Sequence, residues 1–413
     1  MSYYKTFDNG LRLVVNKIDG LLSVSAGILV KTGSMNETEQ ENGISHFIEH
    51  VMFKGTKTRT AFDISDHIDR IGSQINAFTS KELTCYYTKS TKDHMENTLE
   101  VLSDIFFNSV FDSVELEKEK GVVIEEINMS EDTPEDICLD LLAKSYYGDE
   151  GLGQTILGPA KNIKRFTRED VKAYMDKYYT PDNVVISLAG NVDVNQAVEC
   201  VERLFVNNFN KSKSVKQFES KVSTPRNLYK SKKIEQSHVG FAMNGFTAKD
   251  KLSDAFTIAN TVLGGGMSSR LFQKIREELG LCYSIYSYPS QYKDNGILEI
   301  YAGVNTEARD LATKAIVEEV KKFKKDGITE QEFLRGKEQI KSAFIFGQES
   351  AASQMLVFGK YLIFLDKEFN FAERIKNIEN VTIDDVHQAI SQSFDIENSA
   401  TATVGPKRSA LKI

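Results

Sequence analysis

The sequence predicts an α+β protein of two homologous half-domains, each a mostly antiparallel sheet with helices packed on one face. Three observations carry that prediction. At 413 residues the chain exceeds the size at which a single hydrophobic core usually stops growing. A sequence pattern near the end of the first half returns near the end of the second. Finally, period-two and helical apolar patterns alternate within each half, as an α+β layer requires.

The repeat is visible in particular residues. Phe166-Thr167-Arg168-Glu169-Asp170-Val171 lines up with Val381-Thr382-Ile383-Asp384-Asp385-Val386, and the same offset of 215 pairs Asn183 with Asn398 and Glu115 with Glu330. Both copies read as a capped helix followed by an apolar strand, Val184–Gly190 in one and Ala400–Gly405 in the other. Nearer the front of each half an offset of 211 pairs Val51-Met52 with Val262-Leu263 and Gly55 with Gly266. Within the first half, Ser23–Val30 and residues 84–90 suit strands. Residues 92–108 put Met95, Leu99, Leu102, Ile105 and Phe106 on one helical face. The polar, weakly periodic stretch 206–225 lies near the midpoint. The expected division is therefore a first domain over 1–210, a linker over 211–225 and a second domain over 226–413.

Composition narrows the function. With 41% hydrophobic and 27% charged residues the chain reads as ordinary globular protein. No stretch offers the 18 or more uncharged apolar residues of a bilayer-spanning helix, and the N-terminal segment lacks the apolar core of a secretion signal. The expectation is a cytoplasmic protein without membrane contact. Cys85, Cys138, Cys200 and Cys282 are widely scattered and form no CxxC pair, which argues against a disulfide framework or a thiolate zinc site. A net charge of -8 argues against nucleic acid as a partner, because phosphate binding depends on clustered Lys and Arg.

The chemistry concentrates in His46-Phe47-Ile48-Glu49-His50. The surrounding residues hold no helix breaker, and positions i, i+3 and i+4 share a helical face, so His46, Glu49 and His50 project together. Two imidazoles at i and i+4 bind one zinc ion and leave the glutamate beside them free to act on water. Zinc lowers the pKa of a water from about 15.7 to about 7, and a nearby carboxylate accepts its proton. His-x-x-Glu-His is the inverted order of His-Glu-x-x-His and is itself a catalytic signature. Against this stands the bland reading of two core histidines close together by chance, which should arise in about one such chain per hundred or fewer.

A catalytic zinc usually has three protein ligands. Residues 114–130 read as a Glu-rich helix on which Glu119 and Glu126, seven apart, share a face. Glu126 is a candidate ligand and Glu119 a candidate partner for one of the ligands. By spacing alone Glu125 would serve as well as Glu126. The repeat offsets set His46, Glu49 and His50 against Thr257, Asn260 and Thr261, and Glu126 against Lys341, so the second half is expected to lack the ligand set.

Residues 46–56 (HFIEHVMFKGT) resemble the active-site helix of the pitrilysin (insulinase) family of zinc peptidases, especially the branch of the mitochondrial processing peptidase and its bacterial relatives. The resemblance covers essentially the whole chain. It implies a third zinc ligand 76 residues after the second histidine, which is Glu126, and an accessory glutamate seven before it, which is Glu119. It also implies Glu49 as general base and His46 and His50 as zinc ligands. Asn76-Ala77-Phe78-Thr79-Ser80 resembles the family's edge strand, to which a peptide substrate adds as a further strand. Chemically that is reasonable, since a free strand edge grips any extended peptide through its backbone.

Further along, the glycine run at 263–270 lacks the Gly-Lys-Ser/Thr of a phosphate-binding loop, which removes nucleotide binding from consideration. Arg276 and Tyr283 resemble the family's Arg and Tyr in the inactive half, which contact the substrate and its reacting carbonyl. Both side chains donate hydrogen bonds suited to a developing oxyanion. The resemblance further implies a dimer, most simply a homodimer, with a related chain as the alternative partner, closing a clam-like chamber around short or unfolded peptides. Acidic residues at 115, 117, 119, 131 and 132 would favour basic peptides. Two rival functions remain distinguishable: a non-catalytic scaffold, which would hold no zinc, and a zinc hydrolase of non-peptide substrates, which would have no use for an edge strand.

Overall fold

The computed structural model describes residues 2–209, 222–406 and 411. Most of the linker expected over 211–225 therefore lies outside the described residues. The chain forms two compact units. Of the described residues, the first takes 2–127, 155–209 and 346–369, and the second takes 128–154, 222–345, 370–406 and 411.

In chain order the first half supplies β1 (Ser2–Thr6), β2 (Arg12–Lys17), β3 (Ser23–Val30), α1 (Ile44–Val51), α2 (Ala61–Arg70), β4 (Gln74–Thr79), β5 (Thr84–Thr91) and α3 (Met95–Asn108). It continues with α4 (Ser113–Asp132), α5 (Pro134–Tyr147), α6 (Ala160–Arg165), α7 (Arg168–Tyr178), β6 (Val184–Gly190) and α8 (Val194–Leu204). The second half follows with β7 (Asn227–Ser231), β8 (Gln236–Asn244), α9 (Ser253–Gly264), a π-helical turn at Phe272–Glu278, β9 (Cys282–Gln291) and β10 (Gly296–Asn305). Then come α10 (Arg309–Asp326), α11 (Glu330–Gly347), α12 (Ala351–Lys360), α13 (Phe371–Asn380), α14 (Ile383–Ser393) and β11 (Ala400–Gly405).

The two sheets share one topology. The first runs β1-β2-β6-β3-β5-β4 and the second β7-β11-β8-β10-β9, so the second matches the first once β1 is removed. Each is antiparallel except for one parallel pair, β2 with β6 and β7 with β11. The capped helices foreseen from the repeat are both present. Thr167 with Asp170 and Thr382 with Asp385 form reciprocal capping boxes, which satisfy two otherwise orphaned backbone donors at each helix start.

The helical stripes find their cores. Met95, Leu99, Leu102, Ile105 and Phe106 of α3 are buried against Ala26, Ile28, Tyr86 and Ile186 on one face of the first sheet. The second core gathers Val239, Phe241, Leu298 and Ile300 under α9, α10 and α14. The α+β, two-half reading holds. The opposite face of each sheet is covered as well, by a single helix that arrives from the other half of the sequence. Helix α12 lies on β3 and β6, and α5 lies on β8 and β11. A cut at the linker therefore does not reproduce the units, because each sheet needs one helix from across it.

A glycine admits each visiting helix. A Cβ at Gly27 in β3 would lie 2.5 Å from the Met355 sulfur of α12, and one at Gly240 in β8 would lie 3.0 Å from Leu142 of α5. Below α12 Val14, Leu29, Cys85 and Val185 are fully buried. The Ser187 hydroxyl donates to the Met355 carbonyl at 2.7 Å, fixing the register of α12. Among the described residues no helix is long and apolar enough to cross a membrane.

Candidate metal centre

Helix α1 divides its residues by face. Ile44, Phe47, Ile48 and Val51, at i, i+3, i+4 and i+7, are buried in the first core, each contributing about 1.5–3 kcal/mol of burial. That stripe leaves His46, Glu49 and His50 together on the other side. Helix α4 brings Glu126 to the same place. The Glu126 Oε2 lies 3.5 Å from His46 Nε2 and 3.3 Å from His50 Nε2. The two imidazole rings meet edge to face with centroids 4.6 Å apart.

These separations fit a metal. Three ligand atoms placed tetrahedrally at zinc–nitrogen and zinc–oxygen lengths of about 2.0–2.1 Å stand roughly 3.4 Å from one another. Among the described residues, His46, His50 and Glu126 are the one group of three or more such donors close enough to share an ion. The electrostatics agree. Burial, then the neighbouring His50, pushes the His46 imidazole down to about 4, so at neutral pH it is an uncharged lone-pair donor. With the ring proton on Nδ1, the bare His46 Nε2 and the Glu126 carboxylate oxygen are two acceptors face to face, an arrangement that a cation between them relieves.

The surroundings orient the donors. His50 Nδ1 is 3.0 Å from Glu119 Oε1, so with its proton on Nδ1 the ring presents an unprotonated Nε2 toward Glu126. Lys54 Nζ lies 2.8 Å from the other Glu119 oxygen. His50 and Lys54 together outweigh burial and hold the Glu119 carboxyl below its usual range. Burial lowers the His50 imidazole, yet the hydrogen bond to Glu119 and the charges of Glu126 and Glu119 outweigh it and raise the group overall. Spacing could not choose between Glu125 and Glu126; the rotation of α4 brings Glu126 to the histidines.

Glu49 stands beside this cluster. The Thr79 hydroxyl donates to Glu49 Oε2 at 2.5 Å, and burial raises the Glu49 carboxyl above its usual range. Thr79 closes β4, which pairs with β5 from Gln74↔Lys89 to Thr79↔Thr84 and forms the free edge of the first sheet. Asn76, Ala77, Phe78 and Thr79 thus lie on an edge strand adjoining the cluster. The Asn76 Oδ1 accepts the Ala77 backbone N–H at 2.8 Å. Sequence reasoning missed what Thr79 and Lys54 do, because both contacts are tertiary and no local pattern announces them.

Arg276 and Tyr283 belong to the second unit. The Arg276 guanidinium lies over the Phe272 ring at 4.6 Å and the Tyr283 ring at 5.3 Å, while Tyr283 is 79% exposed. The acidic residues expected to attract basic peptides all have cations beside them. Glu115 pairs with Lys118 and Glu117 with Lys120, Glu131 with Lys230 and Asp132 with Lys232, and Glu119 with Lys54. Their compensated charge lends a basic-peptide preference no support.

At the equivalent places of the second half the residues are structural. Asn260 of α9 accepts the Ser287 hydroxyl at 2.6 Å, the Thr261 hydroxyl donates to the Thr257 carbonyl, and Lys341 pairs with Glu379.

Comparison with known proteins agrees with this division. The family profile described as "Insulinase (Peptidase family M16)" matches residues 14–160, and the one described as "Peptidase M16 inactive domain" matches residues 165–340. The chain belongs to the insulinase (M16) family of peptidases. It is 42% identical to the "Uncharacterized zinc protease YmxG" of Bacillus subtilis (strain 168), over 97% of each chain. It is 36% identical to an "Uncharacterized zinc protease" of Rickettsia felis, over 96% of each. In structure it resembles a protease from Helicobacter pylori with a TM-score of 0.90 at 24% identity, covering 98% of this chain and 99% of that one. A second M16 structure, from Pseudomonas fluorescens, gives 0.91 at 19% identity, covering 100% and 99%. At those identities the two structures speak for the fold alone.

Proposed function

We propose that this M16 peptidase is a zinc-dependent endopeptidase of the His-x-x-Glu-His type that cuts short or unfolded peptides. His46, His50 and Glu126 hold the ion and Glu49 serves as general base. The observation that carries the proposal is the meeting of two imidazole Nε2 atoms and one carboxylate oxygen at 3.3–3.5 Å beside a glutamate held by Thr79. Bound zinc would supply Lewis acidity, activating a water and polarising the scissile carbonyl.

The protein groups do the rest. Glu49, with its carboxyl raised by burial, accepts the water's proton and returns it to the departing amine. Thr79 keeps the Glu49 carboxylate in one orientation. Glu119 accepts the Nδ1 proton of His50 and so holds that ring. An extended peptide pairs with the free edge of β4 at Asn76, Ala77, Phe78 and Thr79, which supplies affinity through the backbone without reading side chains. Arg276 and Tyr283 keep the role that family resemblance implies, donating hydrogen bonds to the peptide and its reacting carbonyl. A second copy of the chain, or a related chain, closes the chamber that admits flexible substrates and excludes folded ones.

The test is to compare purified wild type and Glu49→Gln on a mixed peptide library by mass spectrometry, with zinc content measured on both. Internal cuts made by the wild type alone, at equal zinc content, support the proposal. Equal silence from both proteins with zinc bound would sink the enzymatic reading and favour a scaffold.

A further inference from the structure

Helix α1 begins in an unusual way. Its N-cap residue, Gly43, has φ +98 and makes no side-chain cap. A Cβ there would lie 2.7 Å from the Leu157 carbonyl oxygen and 3.1 Å from Gly158, so the position admits only glycine and the helix cannot be capped by its own N-cap residue. A side chain from outside the helix takes over. Glu37, 3% exposed, accepts the Gly43 N–H at 2.8 Å and the Asn42 side-chain amide at 3.0 Å on Oε2, and the Ser45 N–H at 2.9 Å on Oε1. Burial raises the Glu37 carboxyl above its usual range, and the N–H groups it receives at the positive end of the helix oppose that rise.

The cradle continues beyond Glu37. The Ser45 hydroxyl meets the Tyr174 hydroxyl at 3.0 Å, which meets the Thr32 hydroxyl at 2.9 Å, all three residues being buried. Ser45 immediately precedes His46. The chain thus spends a buried carboxylate and three buried hydroxyls on the first turn of one helix.

The second half shows that the fold does not need them. At the repeat offsets Ser45 corresponds to Phe256 and Tyr174 to Ala389, both fully buried in the second core. The N-cap of helix α9, Leu252, makes no side-chain cap, yet the helix packs as α1 does. Where the helix carries no ligands, its first turn is held through side chains, Asp254 by Arg374 and Ser253 by Gln291, with no buried carboxylate receiving its backbone N–H groups; where it carries His46 and His50, a buried polar cradle grips the backbone of the turn itself. Hydrogen bonds define rotation and axial position more sharply than apolar contacts, and a ligand displaced by a fraction of an ångström loses a metal.

We propose that Glu37 is a positioning residue for the metal helix: through Gly43, Ser45 and the Ser45–Tyr174–Thr32 chain it sets where His46 and His50 present their Nε2 atoms. The inference rests on the zinc reading given above.

The test measures zinc affinity by competition with a chromophoric chelator, alongside kcat and KM for a peptide and the melting temperature of the metal-free protein. Two variants are used, Glu37→Gln and Tyr174→Phe. Glu37→Gln keeps one acceptor oxygen and replaces the other with an NH2 group that donates and cannot accept, and it should weaken zinc binding roughly 10-fold or more. It should lower kcat at fixed saturating zinc while KM stays within about twofold, since β4 is untouched. Tyr174→Phe removes one hydroxyl without disturbing the carboxylate and should move zinc affinity the same way by a few-fold. If Glu37→Gln does not fold, Tyr174→Phe decides alone. Zinc affinity and kcat unchanged in the folded variants, with only the melting temperature lowered, would overturn the inference while leaving the zinc reading standing. No zinc on the wild type would overturn both.

Discussion

Helices α1 and α9 hold equivalent places, and their residues diverge by face. Ile44, Phe47, Ile48 and Val51 answer to Ala255, Ile258, Ala259 and Val262 at one constant offset, and all eight are buried. On the other face His46, Glu49 and His50 answer to Thr257, Asn260 and Thr261. The stripe that packs is apolar in both; the stripe of candidate metal ligands exists in one. Fold and chemistry are written on separate sides of the same helix, so the second half could lose the site and keep the scaffold. The reactive side is also the costlier one, since it keeps an imidazole pushed down to about 4 and a carboxyl raised by burial.

The largest effect should come from the face that reacts. Glu49→Gln is expected to lower kcat for peptide cleavage by about 10²–10⁴, with zinc content unchanged by metal analysis. A smaller drop would mean that another group takes the proton. Next in size is complementation between chains, which tests whether, in the dimer that family resemblance implies, Arg276 and Tyr283 of one chain complete the site of the other. Glu49→Gln and Tyr283→Phe proteins, each weak alone, should regain part of the wild-type rate once their subunits exchange, because one hybrid site then holds both native residues. No recovery despite confirmed exchange would mean that each chain completes its own site.

Smaller effects should appear in the half without ligands. Asn260→Ala removes the side-chain acceptor of the buried Ser287 hydroxyl, leaving it only the backbone carbonyl of residue 260 at 3.5 Å, and should cost about 1–3 kcal/mol of stability in denaturant melts. Zinc affinity and kcat should not move; if they do, the two helices are not independent. An effect of similar size concerns pH. Arg270 grips both oxygens of Glu332 at 2.8 Å and holds its carboxyl down to about 2 from an ordinary 4.5. Because the folded value is depressed, this stabilisation is full above about pH 4.5 and drains away as pH falls toward 2. Glu332→Gln should remove on the order of 2 kcal/mol at neutral pH, allowing for partial solvent screening. It should also flatten the acid limb of the stability profile, which thermal melts between pH 2 and 6 would reveal. An unchanged acid limb would assign that limb to carboxylates elsewhere.

What could be read from the sequence was local. The stripe of α3, the strands β3, β6 and β11 and the two capping boxes each depend on residues within one element, and the structure has them where spacing put them. The spacing of His46, Glu49 and His50 on one turn was legible for the same reason. Glu126 was not, until resemblance named it, because the choice over Glu125 turns on how α4 is rotated against a helix some 70 residues earlier. Thr79 on Glu49, Lys54 on Glu119 and Glu37 beneath Gly43 were illegible in the same sense. Each is a contact between elements, made by a residue type common on any surface. The covering of each sheet by a helix from the far half was hidden for a stronger reason: α5 and α12 have ordinary helical patterns that do not say which sheet they serve.

That exchange of helices bears on how the chain is made. On the ribosome the first sheet can assemble as soon as β6 emerges, but Leu29, Cys85 and Val185 must wait for α12, which is synthesised more than 150 residues later. Until then an apolar sheet face stands open to neighbouring nascent chains, the exposure that chaperones bind. Once released, the polypeptide has neither half in a finished state without the other, so a truncation at the midpoint removes more than the residues it deletes. The two halves are homologous in sequence, and each lends the other the helix that covers its sheet.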